Sequence, residues 1–327
     1  MEKTLWLLLD NRRGSVGQAM GIARALGQRM NIVEKHLVYN TFSVLPNFLK
    51  GRTLLGIDRS KSDTLEAPFP DVVLSTSRRT VSAARYIRKA SGFKTKIVHL
   101  MYPSGGGIQD MDMIIVPKHD DEKKHQNKKT FLITGAPTRI FADTVAEAKQ
   151  KWDPIFANLP KPWISVIIGG AIKGKPWPLE NAKVFADRLK EIHQQLGGSF
   201  LLTTSRRTGK EAEDIILSSL KDVPMYTYLW GEKKENPIMG FYACPDIITV
   251  TADSVSMCSE ACGTGIPVLL YQNKNWLPKK HQRFAASLID QGYAADILSK
   301  DSLSFRPQKT LNPATDIAEK ILELCQR

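Results

Sequence analysis

At 327 residues the chain is long for one hydrophobic core and comfortable for two domains. Its 42% apolar and 24% charged residues are ordinary for a soluble globular protein, and no apolar run approaches the ~18 residues needed to cross a bilayer. The net charge of +13 favours anionic partners such as phosphorylated substrates or acidic lipid headgroups. With no zinc-finger, helix-turn-helix or RNA-binding signature beside that charge, nucleic acid is set aside.

In chain order, short apolar strands alternate with amphipathic helices, the pattern of an α/β chain with parallel sheets. The first predicted strand, Leu5–Leu9, follows Glu2 and is stopped by Asp10, so it is a poor signal peptide and a cytoplasmic protein is expected. It runs into a turn with glycines at Gly14, Gly17 and Gly21. That spacing is not the G-x-G-x-x-G of dinucleotide enzymes, and the second strand, ending near Leu37–Asn40, lacks the terminal acidic residue that would hold an NAD ribose. Val16, Met20, Ala23 and Leu26 then fall at helical spacing, as do Val81, Ala84, Ile87 and Ala90 further on. The remaining strands of this half are predicted at Ile32–Val38, Asp71–Leu74, Lys96–Leu100, Met113–Val116 and Phe131–Ile133.

Asp110-x-Asp112 has the form of a metal-binding pair, but Asp112 leads straight into a strand, so a structural role is expected and no metal site is called. His99 lies within a strand and reads as a satisfied core histidine, whereas His119 follows a strand end and is placed toward a cleft. The run Lys118–Lys129, which also holds Asp120, Asp121 and Glu122, reads as a solvated loop.

The pattern pauses around Asn158–Pro162, and a second series begins with strands at Trp163–Ile168, Ser199–Thr203, Met225–Leu229, Asp246–Val250 and Pro267–Tyr271. A helix over Leu179–Leu196 turns Ala182, Phe185, Leu189, Ile192 and Leu196 inward. Residues 1–150 and 151–311 are therefore expected as two Rossmann-like doubly wound domains facing a cleft, with the last helix, 312–327, packing back on the first.

Several segments carry chemistry. Ile167 to Gly174 is a strand entering a glycine-rich turn, where Gly169 and Gly170 could cradle a diphosphate beside Lys173. Pro245 to Val268 reads as a strand, a helix opening at Asp253-Ser254, and a second strand; such a helix start suits a phosphate, and Glu260 further along suits sugar hydroxyls. The hexapeptides Ser75-Thr-Ser-Arg-Arg-Thr80 and Thr203-Thr-Ser-Arg-Arg-Thr208 each follow a strand and precede a helix, the edge where open α/β sheets bind ligands, and suggest a duplicated unit. Cys258 and Cys262 fall one helical turn apart and read as core thiols. No tyrosine has a lysine four places on, so the Tyr-x-x-x-Lys pair of one class of nucleotide-sugar epimerases is missing, as is the P-loop pattern.

Together Leu9–Gln18, Ser75–Thr80, Val116–Asp120, Thr204–Thr208 and Thr251–Glu260 resemble the elongated-mitochondria family of mitochondrial fission proteins and their bacterial relatives, over nearly the whole chain. The run Ser104–Gly107 departs from that pattern. At the domain level the chain is similar to GT-B glycosyltransferases such as the peptidoglycan N-acetylglucosaminyltransferase. That resemblance implies a nucleotide-sugar donor on the second domain, held by Gly169, Gly170, Ser205, Arg206, Ser254, Val255, Ser256 and Glu260, with Lys173, Arg206 and Arg207 supplying charge in place of a metal. Gly14, Ser15, Gly17, Gln18, Ser77, Arg78 and Arg79 would then serve the acceptor or the transferred sugar, and Asp10 would be the base that takes the acceptor proton.

The expected partners are a nucleotide-sugar and an acceptor that is lipid-linked or lies at an anionic membrane surface, as for a peripheral protein at the inner face of a membrane. No cofactor beyond the nucleotide-sugar substrate is expected. A non-catalytic scaffold on the same fold, and a nucleotide-sugar 2-epimerase-like enzyme, are the alternatives.

Overall fold

The computed structural model describes residues 2–103, 106–120 and 127–326, so the glycine run at 104–107 and the charged loop at 118–129 fall partly outside the described residues. The chain forms two units, one made of Met1–Arg139 with Asn312–Arg327 and the other of Ile140–Leu311.

The first unit is built on six parallel strands, β1 (Thr4–Leu9), β2 (Asn31–His36), β3 (Val72–Ser75), β4 (Lys96–Leu100), β5 (Met113–Pro117) and β6 (Thr130–Ile133), in the order β2-β1-β3-β4-β5-β6. Interior strand β1 reads as an almost unbroken apolar run because helices cover both of its faces; Leu5, Leu7, Leu8 and Leu9 are all buried. Edge strand β2 is half-exposed and more polar. The helices α1 (Arg13–Leu26), α2 (Asn47–Lys50) and α3 (Val81–Ala90) lie in the β1–β2, β2–β3 and β3–β4 connections. Strand order reverses between β1 and β3, which leaves a crevice at their carboxyl ends, beside Asp10 and the turn after Ser75.

In the second unit, α4 (Ala142–Phe156) precedes β7 (Trp163–Ile167), α5 (Leu179–Leu196), β8 (Ser199–Thr203), α6 (Lys210–Ser219), β9 (Met225–Tyr228), α7 (Ile238–Ala243), β10 (Ile247–Thr251), α8 (Val255–Gly263), β11 (Val268–Tyr271), α9 (Lys279–Asp290) and the two-residue β12 (Ala295–Asp296). All six strands are parallel in the order β12-β11-β10-β7-β8-β9, the Rossmann arrangement with its switch point between β7 and β10.

Helix α4 belongs to this second unit: Trp152 stacks on Phe156, whose ring meets Trp163 edge-on at 5.9 Å. A Cβ on Gly240 of α7 would stand 2.4 Å from Trp152 Cγ, so glycine there lets the two helices close. The division thus falls before α4 rather than at residue 150, and the pause at Asn158–Pro162 is a loop inside the second unit. The last helix, α10 (Pro313–Gln326), is part of the first unit, where Ile317, Ala318 and Ile321 are buried and Glu319 pairs with Arg29 at 2.5 Å. No helix among the described residues is long and apolar enough to cross a membrane.

The glycines of α1 differ in purpose. A Cβ at Gly21 would lie 2.3 Å from the Thr138 carbonyl oxygen, whereas Gly14 and Gly17 have nothing within 4 Å. Gly21→Val is therefore expected to destabilise the protein by about 1–3 kcal/mol through overpacking. Gly17→Ala in the same helix should stabilise it by about 0.5–1 kcal/mol. Chemical denaturation of the two variants beside the parent checks both signs.

Candidate functional site

In the second unit the site forms where β7 and β10 end. Asp253, just past β10, has a fully buried carboxylate (0% side-chain exposure) whose Oδ2 accepts the Gly170 N–H at 2.9 Å and pairs with Arg207 Nη1 at 2.7 Å. The Gly169 N–H donates to Thr251 Oγ1 at 2.7 Å. A Cβ at Gly169 would sit 2.1 Å from Asp253 Oδ2, and one at Gly170, where φ is +139°, would sit 2.1 Å from the Arg207 carbonyl oxygen. Glycine is required because a carboxylate and a neighbouring backbone close over the turn. Both glycine N–H groups are thereby engaged, which corrects the reading of this turn as an open diphosphate cradle.

The turn after β8 pins the other side. Thr208 Oγ1 accepts the Ser205 N–H at 2.9 Å and donates to the Gly169 carbonyl at 2.6 Å, while Ser205 Oγ donates to the same carbonyl at 2.7 Å. Arg207 also donates through Nη1 to the Ala171 carbonyl at 3.0 Å. Ser205 and Arg207 thus hold the glycine turn, and Arg206 is the solvent-exposed member of the pair, with no ion pair among the described residues. Lys173 begins the exposed Lys173-Gly174 reversal, with φ of 49° and 79°, that bridges Ile172 to Lys175.

Helix α8 supplies the remaining donors. Ser254 caps it by accepting the Met257 N–H at 3.4 Å, and no acidic residue occupies the first turn. The N–H groups of Val255 and Ser256 lie in that first turn and have no intrahelical acceptor. Glu260, further along α8, accepts a hydrogen bond from the Tyr242 hydroxyl at 3.0 Å; Tyr242 is buried, and burial together with Glu260 holds its phenol well above the ordinary range. No spacing in the sequence pointed to Tyr242. Cys258 and Cys262 are buried on the same helix, with their thiols pushed up by burial.

In the first unit the carboxyl ends of β1 and β3 bring Asp10, Ser77 and Arg79 together. Thr80 Oγ1 accepts the N–H groups of Thr76 and Ser77, each at 3.1 Å, and donates to the Ser77 carbonyl at 2.8 Å. Arg79 Nη2 reaches Asp10 Oδ2 at 3.4 Å and Asn11 Oδ1 at 2.8 Å, and its guanidinium lies 4.4 Å from the Tyr39 ring centre. Arg78 Nη1 donates to the Val44 and Leu45 carbonyls, each at 3.3 Å.

Asp10 has no exposed side-chain surface, and its Oδ1 accepts the Arg12 N–H at 3.0 Å. It is therefore sealed against an acceptor and acts on Arg79, which corrects its assignment as base. Gly14 lies exposed, and Ser15, Gly17 and Gln18 half-exposed, at the start of α1.

The two hexapeptides share the threonine latch and an arginine–aspartate pair, but not their place in the sheet. β3 borders its switch point, whereas β8 stands one strand beyond, so Arg207 must reach across the glycine turn to Asp253. The repeat is one of local turn chemistry, which corrects its reading as a duplicated unit. His99 is a satisfied core histidine, its Nδ1 2.8 Å from Ser75 Oγ and its pKa lowered to about 3 by burial. Asp110 is held by Arg52 and Arg85, and Asp112 by Arg88, so both carboxylates serve packing. His119 is buried in the short turn after β5.

This pairing of Rossmann-like units is the architecture of GT-B proteins. Over 99% of both chains the structure superposes on UDP-GlcNAc 2-epimerase from Methanocaldococcus jannaschii with a TM-score of 0.59 at 13% identity. It covers 99% of this chain and 99% of the Neisseria meningitidis UDP-GlcNAc 2-epimerase bound to UDP-GlcNAc, with a TM-score of 0.55 at 13% identity. MurG of Acinetobacter baumannii matches with a TM-score of 0.51 at 14% identity over 98% of this chain and 99% of that one.

Residues 13–325 match the family described as Mitochondrial fission ELM1, and the chain belongs to that family. It is 30% identical to the mitochondrial fission protein ELM1 of Arabidopsis thaliana over 292 residues, 81% of this chain but only 65% of that relative's length. It is 28% identical to the uncharacterized protein RP120 of Rickettsia prowazekii (strain Madrid E) over 97% of both chains.

Burial raises the Asp253 carboxyl above its ordinary value, and Arg207 opposes that shift. A raised folded-state value means that the stability Asp253 contributes is present at low pH and lost as pH rises through that value. Arg207→Ala removes the charge that limits this loss. It should destabilise by about 2–3 kcal/mol near neutral pH, the low end for a buried pair because the guanidinium is one-third exposed. The deficit should shrink as pH falls through the folded-state value, where the carboxyl takes up its proton even beside Arg207. Thermal melts of variant and parent across this range measure it.

Proposed function

We propose that the second unit binds a nucleoside diphosphate-sugar at the carboxyl edge of its sheet, and that the protein transfers the sugar to an acceptor in the manner of GT-B glycosyltransferases. The observation that carries the reading is the start of α8, where N–H groups free of intrahelical acceptors stand in a first turn without carboxylates, at the switch point of a Rossmann-ordered sheet. The fold shared with proteins of nucleotide-sugar chemistry, one of them bound to UDP-GlcNAc, supports the same reading.

In this scheme the diphosphate lies on the N–H groups of Val255 and Ser256, and exposed Arg206 and Lys173 neutralise charge on the departing nucleotide. Glu260, steadied by Tyr242, takes the ribose hydroxyls. Gly169, Gly170, Ser205 and Arg207 shape the floor without contacting the phosphates. Asp10 orients Arg79 on the acceptor side.

Two observations favour a second reading, nucleotide-sugar binding without transfer: the sealed Asp10 carboxylate and the internally satisfied glycine turn.

Thermal-shift screening with UDP, GDP, CMP and their sugars tests the binding step. One ligand should stabilise the protein by about 2.7 kcal/mol at a hundredfold excess over Kd. Glu260→Ala should abolish that gain and Arg206→Ala should weaken it; silence across the panel would sink the proposal. Donor consumption then separates the two readings. With a turning-over donor, Asp10→Asn should fall far short of the ~10²–10⁴-fold loss that removal of a general base produces.

A further inference from the structure

Lys50, at the end of α2, is 1% exposed, and its ammonium makes one hydrogen bond, to the Ser43 carbonyl at 3.3 Å. An ammonium carries three donors, and burying its charge without a counter-ion is unfavourable. No carboxylate among the described residues pairs with it. Burial above all, and then the charges of Arg78 and Arg79 in the turn after β3, lower its pKa to about 8. Asp10 is the carboxylate paired at this edge, and Arg79 already holds it.

The same place leaves polar atoms without partners. Among the described residues, the buried Oγ of Ser77, which is 4% exposed, has no hydrogen-bond partner, and neither do Arg79 Nε and Tyr39 Oη. The Tyr39 and Ser77 hydroxyls lie near each other but not in hydrogen-bonding geometry, and Arg79 and Asp10 are close enough to act on the phenol. Buried donors left unmet beside an excess of positive charge are the chemistry that binds an anion.

We infer that Lys50, Arg78, Arg79 and Ser77 form a binding site in the first unit for a phosphate group. A phosphate dianion offers enough acceptor lone pairs for the ammonium, the unpaired guanidinium N–H and the hydroxyl together, and its two charges match the local surplus of cations better than one carboxylate would. The site lies on the first unit and does not depend on the nucleotide-sugar reading of the second. Two sources can present this chemistry: a soluble phosphate ester or diphosphate, or a lipid headgroup. Phe48 and Leu49, the residues before Lys50, are 66% and 60% exposed and would lie beside such a headgroup's acyl chains.

The test uses the full chain with inorganic phosphate, pyrophosphate, and phosphatidylcholine vesicles with and without phosphatidic acid. Pyrophosphate or phosphate should raise Tm by about 2–4 °C near saturation, or phosphatidic acid should make the protein co-sediment with vesicles. Lys50→Met should abolish the response while raising the Tm of the ligand-free protein, since it removes an unpaired buried charge; Lys50→Gln gives a second, polar replacement. Lys183→Ala, at an exposed cation of α5 that belongs to neither site, should leave the response intact.

A soluble-ion response lost in Lys50→Met assigns the site to a free phosphate compound. A vesicle response lost in both Lys50→Met and Phe48→Ser assigns it to a lipid. A response unchanged in both Lys50 variants, a response lost only in Arg206→Ala, or none to any probe overturns the inference. Nucleotide binding lost in Glu260→Ala while this response persists would separate the two sites.

Discussion

The Asp253 carboxylate, buried at the end of β10, governs the second unit. A carboxylate in that position needs a cation and N–H donors, and it obtains them from Arg207 and Gly170. Those bonds bring the turn after β7 and the turn after β8 so close that only glycine fits at 169 and 170. The glycines, the Ser205 and Thr208 hydroxyls and the Arg207 guanidinium are all consequences of placing one charge at the switch point. What remains outward is the open start of α8 and Arg206.

The first unit repeats the local solution with a different balance. Its arginine–aspartate pair, Arg79 with Asp10, also ties neighbouring strand ends together, and Thr80 latches the turn as Thr208 does. Here, however, a further cation is buried nearby. In the second unit the paired charges are matched one to one, whereas at the first unit's edge Arg79 pairs with Asp10 while Lys50 and Arg78 bond backbone carbonyls and have no carboxylate partner among the described residues. That imbalance distinguishes the two edges chemically even though their hexapeptides look alike.

Much of the architecture was legible because apolar periodicity is a local property. The strands Lys96–Leu100 and Ser199–Thr203 and the helix Leu179–Leu196 carry their own boundaries in apolar runs and breaker residues, and they stand where the pattern placed them. β12, two residues long, has no run to detect. The helix Ala142–Phe156, absent from the predicted elements, spans the expected division at residue 150, and which unit it joins depends on Trp152 meeting Gly240, nearly ninety residues away, a contact no local pattern encodes.

For the sites, the sequence by itself determined which residue types stand at the carboxyl ends of strands: glycines after β7, a serine-capped helix after β10, and Ser-Arg-Arg-Thr turns after β3 and β8. These follow from the order of residues within one strand–turn–helix unit. Tertiary structure alone decided what each group faces. It turned Gly169 and Gly170 from phosphate donors into the floor beneath an ion pair, sealed Asp10 behind Arg79, set Tyr242 against Glu260 and buried Lys50 with no carboxylate partner among the described residues. Hydrogen bonding and charge depend on distances between atoms far apart in the chain, and strand order in the sheet fixes those distances.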